Sequence, residues 1–147
     1  MQLPYVQTRF LDLPGSFPLR NGAVVEKVRI AYEQYGTPSP EKDNVILLFH
    51  ALSGSQHAYG YNPDVPGIGA LWKPENHEGW WNSIIGPGKP LDTDRFCIIC
   101  ANYLGGCYGT TGPATLPCGR PALRFPFPHV EIADQARLQA LCWTAWG

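Results

Sequence analysis

Val45-Ile46-Leu47-Leu48-Phe49 is an unbroken apolar run, and it constrains the fold more than any other stretch of the chain. A strand with one wet face alternates apolar and polar residues, so a strand with no polar member has to be covered on both faces, as in an α/β sheet. Phe96-Cys97-Ile98-Ile99-Cys100-Ala101 is a second run of the same kind. The long connection between them predicts a crossover unit, a mostly parallel sheet and flanking helices. The two strands deliver His50 and Asn102 to their carboxyl ends, where ligands gather in open α/β sheets.

Ahead of this pair, residues 6–13 and 24–35 read as strands that pair with each other, and Asn21-Gly22 between them is a strong hairpin signal. Residues 64–90 are rich in Gly, Pro and Trp; a connection of that length is usually functional or contains short helices of its own. Residues 130–146 place Ile132, Ala136, Leu138, Ala140, Leu141 and Trp146 at roughly helical spacing, with Asp134 in an acidic first turn, which predicts one amphipathic helix. At 147 residues the chain fits a single domain with a real core.

Charge and composition remove several classes of function. The formal net charge is −1 and the 11 Lys and Arg are scattered, so nothing concentrates the positive charge that nucleic acid demands. No run approaches the ~20 apolar residues that span a bilayer, and the N-terminus lacks the basic-then-apolar order of a signal peptide, so a cytoplasmic protein without a membrane partner is expected. The 5 cysteines are odd in number, which suits reduced thiols better than a disulfide framework. Cys97 and Cys100 form a C-x-x-C, but within a strand they point to opposite faces and cannot share a metal or a disulfide. His50, His57, His77 and His129 fall at no metal-ligand spacing, so no bound metal or cofactor is expected.

Two segments could carry chemistry. Phe49-His50-Ala51-Leu52-Ser53-Gly54 follows the first buried strand, where hydrolase-type sheets place a loop that donates a backbone N–H to an oxyanion hole. The same residues also fit a tight turn in which His50 and Ser53 only satisfy local backbone groups. Asn102-Tyr103-Leu104-Gly105-Gly106-Cys107-Tyr108-Gly109-Thr110-Thr111-Gly112-Pro113 lets backbone approach a ligand closely, or it forms a glycine-rich surface turn. It is neither a P-loop nor a dinucleotide fingerprint. Cys107 has no identifiable base in the sequence, and Gly79-Trp80-Trp81-Asn82 reads as a packing cluster that could wall an apolar entrance.

In this order, residues 47–54, the stretch Gly79-Trp80-Trp81-Asn82-Ser83-Ile84-Ile85-Gly86-Pro87-Gly88-Lys89-Pro90-Leu91-Asp92-Thr93-Asp94-Arg95-Phe96, and residues 102–113 resemble the homoserine O-acetyltransferase family, closely from about Tyr5 to Pro113 and more weakly over the terminal helix. The resemblance implies an α/β-hydrolase fold, with residues 1–147 as the N-terminal part of one such domain. It implies transfer of an acetyl group from acetyl-CoA, a co-substrate, to the hydroxyl of L-homoserine in methionine biosynthesis. A Ser–His–Asp triad, a covalent acyl-enzyme and a possible homodimer follow from the same family pattern. It further implies that Leu52 contributes its backbone N–H to the oxyanion hole, and that Asn102, Gly105 and Gly106 shape the site beside it.

The chain also departs from that family. None of Ser16, Ser39, Ser53, Ser55 and Ser83 has glycine at both −2 and +2, so no serine here sits in a nucleophile elbow and no triad member is present. Residues 114–147 diverge, first through a proline-rich stretch and then through Cys142-Trp143-Thr144-Ala145-Trp146-Gly147. The expectation is a truncated hydrolase fold, inactive alone, from a fragment, a frame-disrupted product or half of a split enzyme. The alternatives are a non-catalytic piece that pairs with another chain or a separately encoded remainder, a related serine O-acyltransferase, and a thiol enzyme using Cys107. On this reading the strands at 45–49 and 96–101 lack later sheet neighbours and expose an apolar edge. The isolated chain should therefore be marginally stable, and a cooperative thermal transition of the monomer at an ordinary mesophile midpoint would contradict it.

Overall fold

The computed structural model describes residues 2–113 and 127–145. Six strands appear in order, β1 (Arg9–Asp12), β2 (Phe17–Pro18), β3 (Val24–Val25), β4 (Arg29–Tyr35), β5 (Val45–Leu48) and β6 (Cys97–Ala101), followed by the helix α1 (Ile132–Ala145). Four of them form one sheet in the order β1-β4-β6-β5, while β2 and β3 form a separate small ribbon. The two apolar runs are thus neighbours, paired in parallel with Val45 opposite Cys97 and Leu48 opposite Cys100. The sheet as a whole is mixed, because β4 lies antiparallel to both β1 and β6.

The expected hairpin region resolves into two devices. Asn21-Gly22 turns the β2–β3 ribbon, with Asn21 Oδ1 accepting the Ala23 N–H at 3.0 Å. The single strand expected over 24–35 is broken at residues 26–28, where Lys27 takes a left-handed φ of 52°. That kink lets Val25 face the ribbon core while β4 runs on to pair with β1, from Asp12 opposite Arg29 to Arg9 opposite Tyr32.

Each sheet face buries a different layer. On one side Ile30 and Ala101 pack with Phe17, Leu19, Val25 and Val28 of the ribbon and with Leu138 and Cys142 of α1. On the other, Tyr35, Ile98 and Cys100 pack with Ala58 and Ile85 of the long connection. Cys97 and Cys100 do point to opposite faces, both buried. Burial pushes up the thiol pKa of each, and that of Cys142 to about 12, so all three are small inert core residues.

Helix α1 docks through its first turn. Asp134 is fully buried there and its carboxylate accepts the backbone N–H groups of Arg20 at 3.0 Å and Glu131 at 3.1 Å. One side chain therefore caps the helix, where a negative charge suits the positive end of its dipole, and anchors it to the ribbon. Among the described residues the connection 49–96 holds only two short 3-10 turns, Gly69–Leu71 and Pro74–Asn76. What fixes it is polar. Glu33 on β4 is fully buried, and each of its oxygens accepts two hydrogen bonds. Oε1 takes Thr8 Oγ1 at 2.8 Å and Asn62 Nδ2 at 2.9 Å; Oε2 takes Tyr35 OH at 2.8 Å and His57 Nδ1 at 2.7 Å. The other nitrogen of His57 faces the His77 carbonyl at 3.0 Å. Both ring nitrogens of His57 thus meet oxygen acceptors, one on Glu33 and one on the connection itself.

Of the two apolar strands, one is left at an edge. β6 is paired on both sides, to β4 and to β5, which corrects the expectation that both apolar strands lack neighbours. β5, all of it half-buried, stands at one margin of the described sheet and β1 at the other. Parallel pairing with the later strand places β6 inside, because the crossover returns the chain between β4 and β5.

Removing the Glu33 carboxylate takes the acceptor from Thr8 Oγ1 and His57 Nδ1 in a dry site, while Tyr35 OH and Asn62 Nδ2 keep the Gln56 carbonyl and Thr8 Oγ1. Leaving a buried donor without an acceptor costs about 1–3 kcal/mol, so the two together remove a large fraction of the ordinary stability of a domain. Glu33→Ala should abolish the cooperative urea transition at neutral pH or lower its midpoint by that amount; a midpoint equivalent to less than about 1 kcal/mol of loss would show that the network does not hold the connection.

Candidate active site

β5 ends at Leu48, and the chain turns over residues 50–54 at the carboxyl end of the sheet. Ala51 O accepts two donors, Gly54 N at 2.8 Å and His50 Nδ1 at 2.7 Å. Leu52 at the tip is 96% exposed, and among the described residues its N–H meets no acceptor. The C=O of Ala51 and the N–H of Leu52 belong to one planar trans peptide and point opposite ways. Anchoring the carbonyl inward therefore aims the N–H outward.

The second segment meets this turn directly. Asn102, fully buried at the end of β6, places Nδ2 3.4 Å from His50 Nε2, and its backbone oxygen accepts Thr110 Oγ1 at 2.9 Å. The Tyr103 ring lies against the His50 ring, centroids 4.0 Å apart, and its hydroxyl donates to His50 O at 2.7 Å. Burial lowers the His50 pKa, with the contact to the Ala51 carbonyl opposing it, and burial raises that of Tyr103. Both groups are thus kept uncharged.

Close backbone approach accounts for the glycines. Gly105 has a φ of +85°, and a Cβ on Gly106 would stand 2.6 Å from Asn102 Oδ1 and 2.9 Å from Tyr103 O. Only glycine lets this turn fold back over the amide. From the helix side, Gln135 brackets Leu104, donating Nε2 to its carbonyl at 2.8 Å and accepting its N–H through Oε1 at 3.0 Å.

Leu52, His50, Tyr103, Gly105, Gly106 and the first turn of α1 line one cleft of about 680 Å³. A second cleft of about 460 Å³ on the other side of the 49–55 turn has Trp80 and Trp81 in its wall. Their rings are 5.1 Å apart, and Trp80 Nε1 donates to Ser55 O at 3.0 Å. The tryptophans pack and wall an entrance at once. Cys107 is exposed, and no histidine lines the cleft it shares with Lys73, Glu75 and Tyr108. Gly86–Asp94 is a self-capped turn: Asp92 accepts the N–H groups of Gly88 and Asp94, each at 3.0 Å, which lowers its pKa.

The structure thus brings Leu52, Asn102, Gly105 and Gly106 to one end of the sheet. The sequence reading missed the roles of Tyr103 and Gln135. A tyrosine directly after a strand-end asparagine is a visible signal; a glutamine on the wet-looking side of a helix is not.

No family model matches the chain. Homoserine O-acetyltransferases are similar to it: those of Deferribacter desulfuricans and Caulobacter vibrioides are each 42% identical over 137 residues, 91% of this chain and 33% of theirs. That of Methanococcoides burtonii is 43% identical over 135 residues, 91% of this chain and 26% of its own. The chain spans between about a quarter and a third of the length of the curated relatives it matches, at their N-terminal part. Among solved structures, the homoserine O-acetyltransferase of Bacillus anthracis superposes with a TM-score of 0.75 at 30% identity, covering 100% of this chain and 38% of that one. Esterase E22 superposes with a TM-score of 0.73 at 34% identity, covering 97% and 38%. By sequence and by fold, the chain belongs to the homoserine O-acetyltransferase family, matching its N-terminal portion and sharing its α/β-hydrolase fold.

Proposed function

We propose that this chain supplies the oxyanion side of a homoserine O-acetyltransferase site, working on acetyl-CoA and L-homoserine. The observation that carries the reading is the Leu52 N–H, unpartnered among the described residues on a peptide whose carbonyl is held by two donors. An acyl carbonyl under attack gathers negative charge on its oxygen, and a preorganised N–H aimed there stabilises the transition state more than the ground state. Asn102, Gly105 and Gly106 hold and shape the wall beside that position. Residues 1–147 form the N-terminal part of one α/β-hydrolase domain, with 114–147 as its divergent end, in a cytoplasmic enzyme that works as a homodimer.

The nucleophile is outside the residues of this chain. No serine here has the glycine-flanked context of an elbow, and the second oxyanion donor is the residue after the nucleophile. The reaction is a ping-pong transfer: acetyl passes from the thioester to the serine with release of the CoA thiol, then to the homoserine hydroxyl, while the triad histidine takes and returns the proton. An oxyanion donor without a nucleophile retains little of that acceleration.

The test is homoserine-dependent thiol release from acetyl-CoA, with the chain alone and with the remaining two thirds of a curated relative supplied. Silence alone and activity on complementation are expected; activity of the chain alone that disappears in Cys107→Ser would replace this reading with a thiol enzyme. In the complemented enzyme Leu52→Pro, which deletes the N–H, should lower kcat by about 10²–10³-fold. Leu52→Ala, which keeps the N–H, should stay within a few-fold, and equal rates for the two would remove Leu52 from the mechanism.

A further inference from the structure

The Leu52 peptide is aimed by a side chain that would not itself touch substrate. His50 Nδ1 lies 2.7 Å from the Ala51 carbonyl, which can only accept, so Nδ1 carries a proton. Nε2 faces Asn102 Nδ2 at 3.4 Å, a donor, so Nε2 offers its lone pair. The opposite orientation of the Asn102 amide would set Oδ1 against Nε2 and require a ring with both protons. Burial of the ring disfavours that charged form. The chosen orientation leaves Asn102 Oδ1 without a partner among the described residues, a cost borne so that the amide N–H can face the histidine.

Tyr103 completes the grip, stacking on the imidazole and donating to the His50 carbonyl at 2.7 Å. The side chain and main chain of His50 are thus both fixed, and through them the plane of the next peptide. If that peptide turned over, the Ala51 carbonyl would point outward and present a negative oxygen to the developing oxyanion.

We propose that His50, protonated on Nδ1 alone and kept so by Asn102, is a positioning residue that prevents the Ala51–Leu52 peptide from flipping and holds the Leu52 N–H toward the oxyanion. This rests on the reading of Leu52 as an oxyanion donor. A misaimed donor is costly, since displacements near 1 Å can lose on the order of 10²-fold in rate.

Two measurements test it separately. Long-range proton–nitrogen NMR of the imidazoles at neutral pH should show His50 in the Nδ1–H form, and Asn102→Ala should convert it to a mixture of forms. An Nε2–H ring or an imidazolium in the unaltered chain would overturn the proposal. In the complemented enzyme, His50→Leu should lower kcat on the order of 10²-fold with KM little changed, and His50→Asn, whose amide N–H can reach the same carbonyl, should recover most of it. Asn102→Ala gives the same test without altering the loop itself and should cost kcat several-fold. A loss in Leu52→Pro with full rates in His50→Leu and Asn102→Ala would remove the positioning role and spare Leu52. Full rates in all of them, with the Nδ1–H form intact, would sink the oxyanion reading together with the role built on it.

Discussion

The Glu33 carboxylate is the interaction on which the rest of this structure depends. It projects from β4, an inner strand of the four, on the sheet face opposite α1, and collects Thr8 from before β1, Tyr35 from its own strand, and Asn62 and His57 from the connection. Residues 49–96 contain almost no regular structure of their own, so their backbone cannot be held by a helix ladder. A saturated buried carboxylate does that work instead, because Thr8 Oγ1 and His57 Nδ1 would be left dry and unpaired if it were displaced. The apolar contacts of Ala58 and Ile85 with Ile98 follow from that placement.

On the other face, the organising contacts are made by a helix whose apolar stripe is modest. Asp134 and Gln135, adjacent in the first turn of α1, reach in different directions: the first to the ribbon at Arg20, the second to Leu104 beyond β6. The helix start therefore joins the N-terminal ribbon to the glycine-rich segment, and through Tyr103 and Asn102 to the turn that carries Leu52. The candidate site is a chain of such polar contacts: helix to Leu104, Asn102 to His50, His50 to the Ala51 carbonyl. Each link is at least partly buried, so none is replaced by water at no cost.

Several elements were legible because local chemistry decided them. The unalternating run at 96–101 is a strand covered on both faces and that at 45–49 a half-buried one, Asn21-Gly22 turns a ribbon with φ > 0 at Gly22, and a helix does form over 132–145, although Ile132, Ala136, Ala140 and Leu141 of its expected apolar face are exposed and Leu138 is buried. What was misjudged was context. The break at Lys27 was hidden inside an alternating pattern, since a lysine carries no signal for a left-handed φ. The order of β5 and β6 in the sheet, and hence which of them is left at the margin, depends on how the crossover returns and not on the composition of either strand.

Glu33 is the clearest case of that division. In sequence it is one charged residue in an alternating strand, indistinguishable from a solvated one; only the arrival of Thr8, His57 and Asn62 from distant positions makes it a buried hub. The same holds at the site, where the stretch His50-Ala51-Leu52-Ser53-Gly54 permitted either a ligand-facing loop or a self-satisfied turn. The sequence by itself determined the fold class and the family, because strand covering, turn residues and the matching stretches are local properties. Tertiary structure alone decided how that turn is seated: the donors to the Ala51 carbonyl, His50 Nδ1 and Gly54 N, are its own neighbours, but the Tyr103 hydroxyl and the Asn102 amide that fix His50 come from the end of another strand.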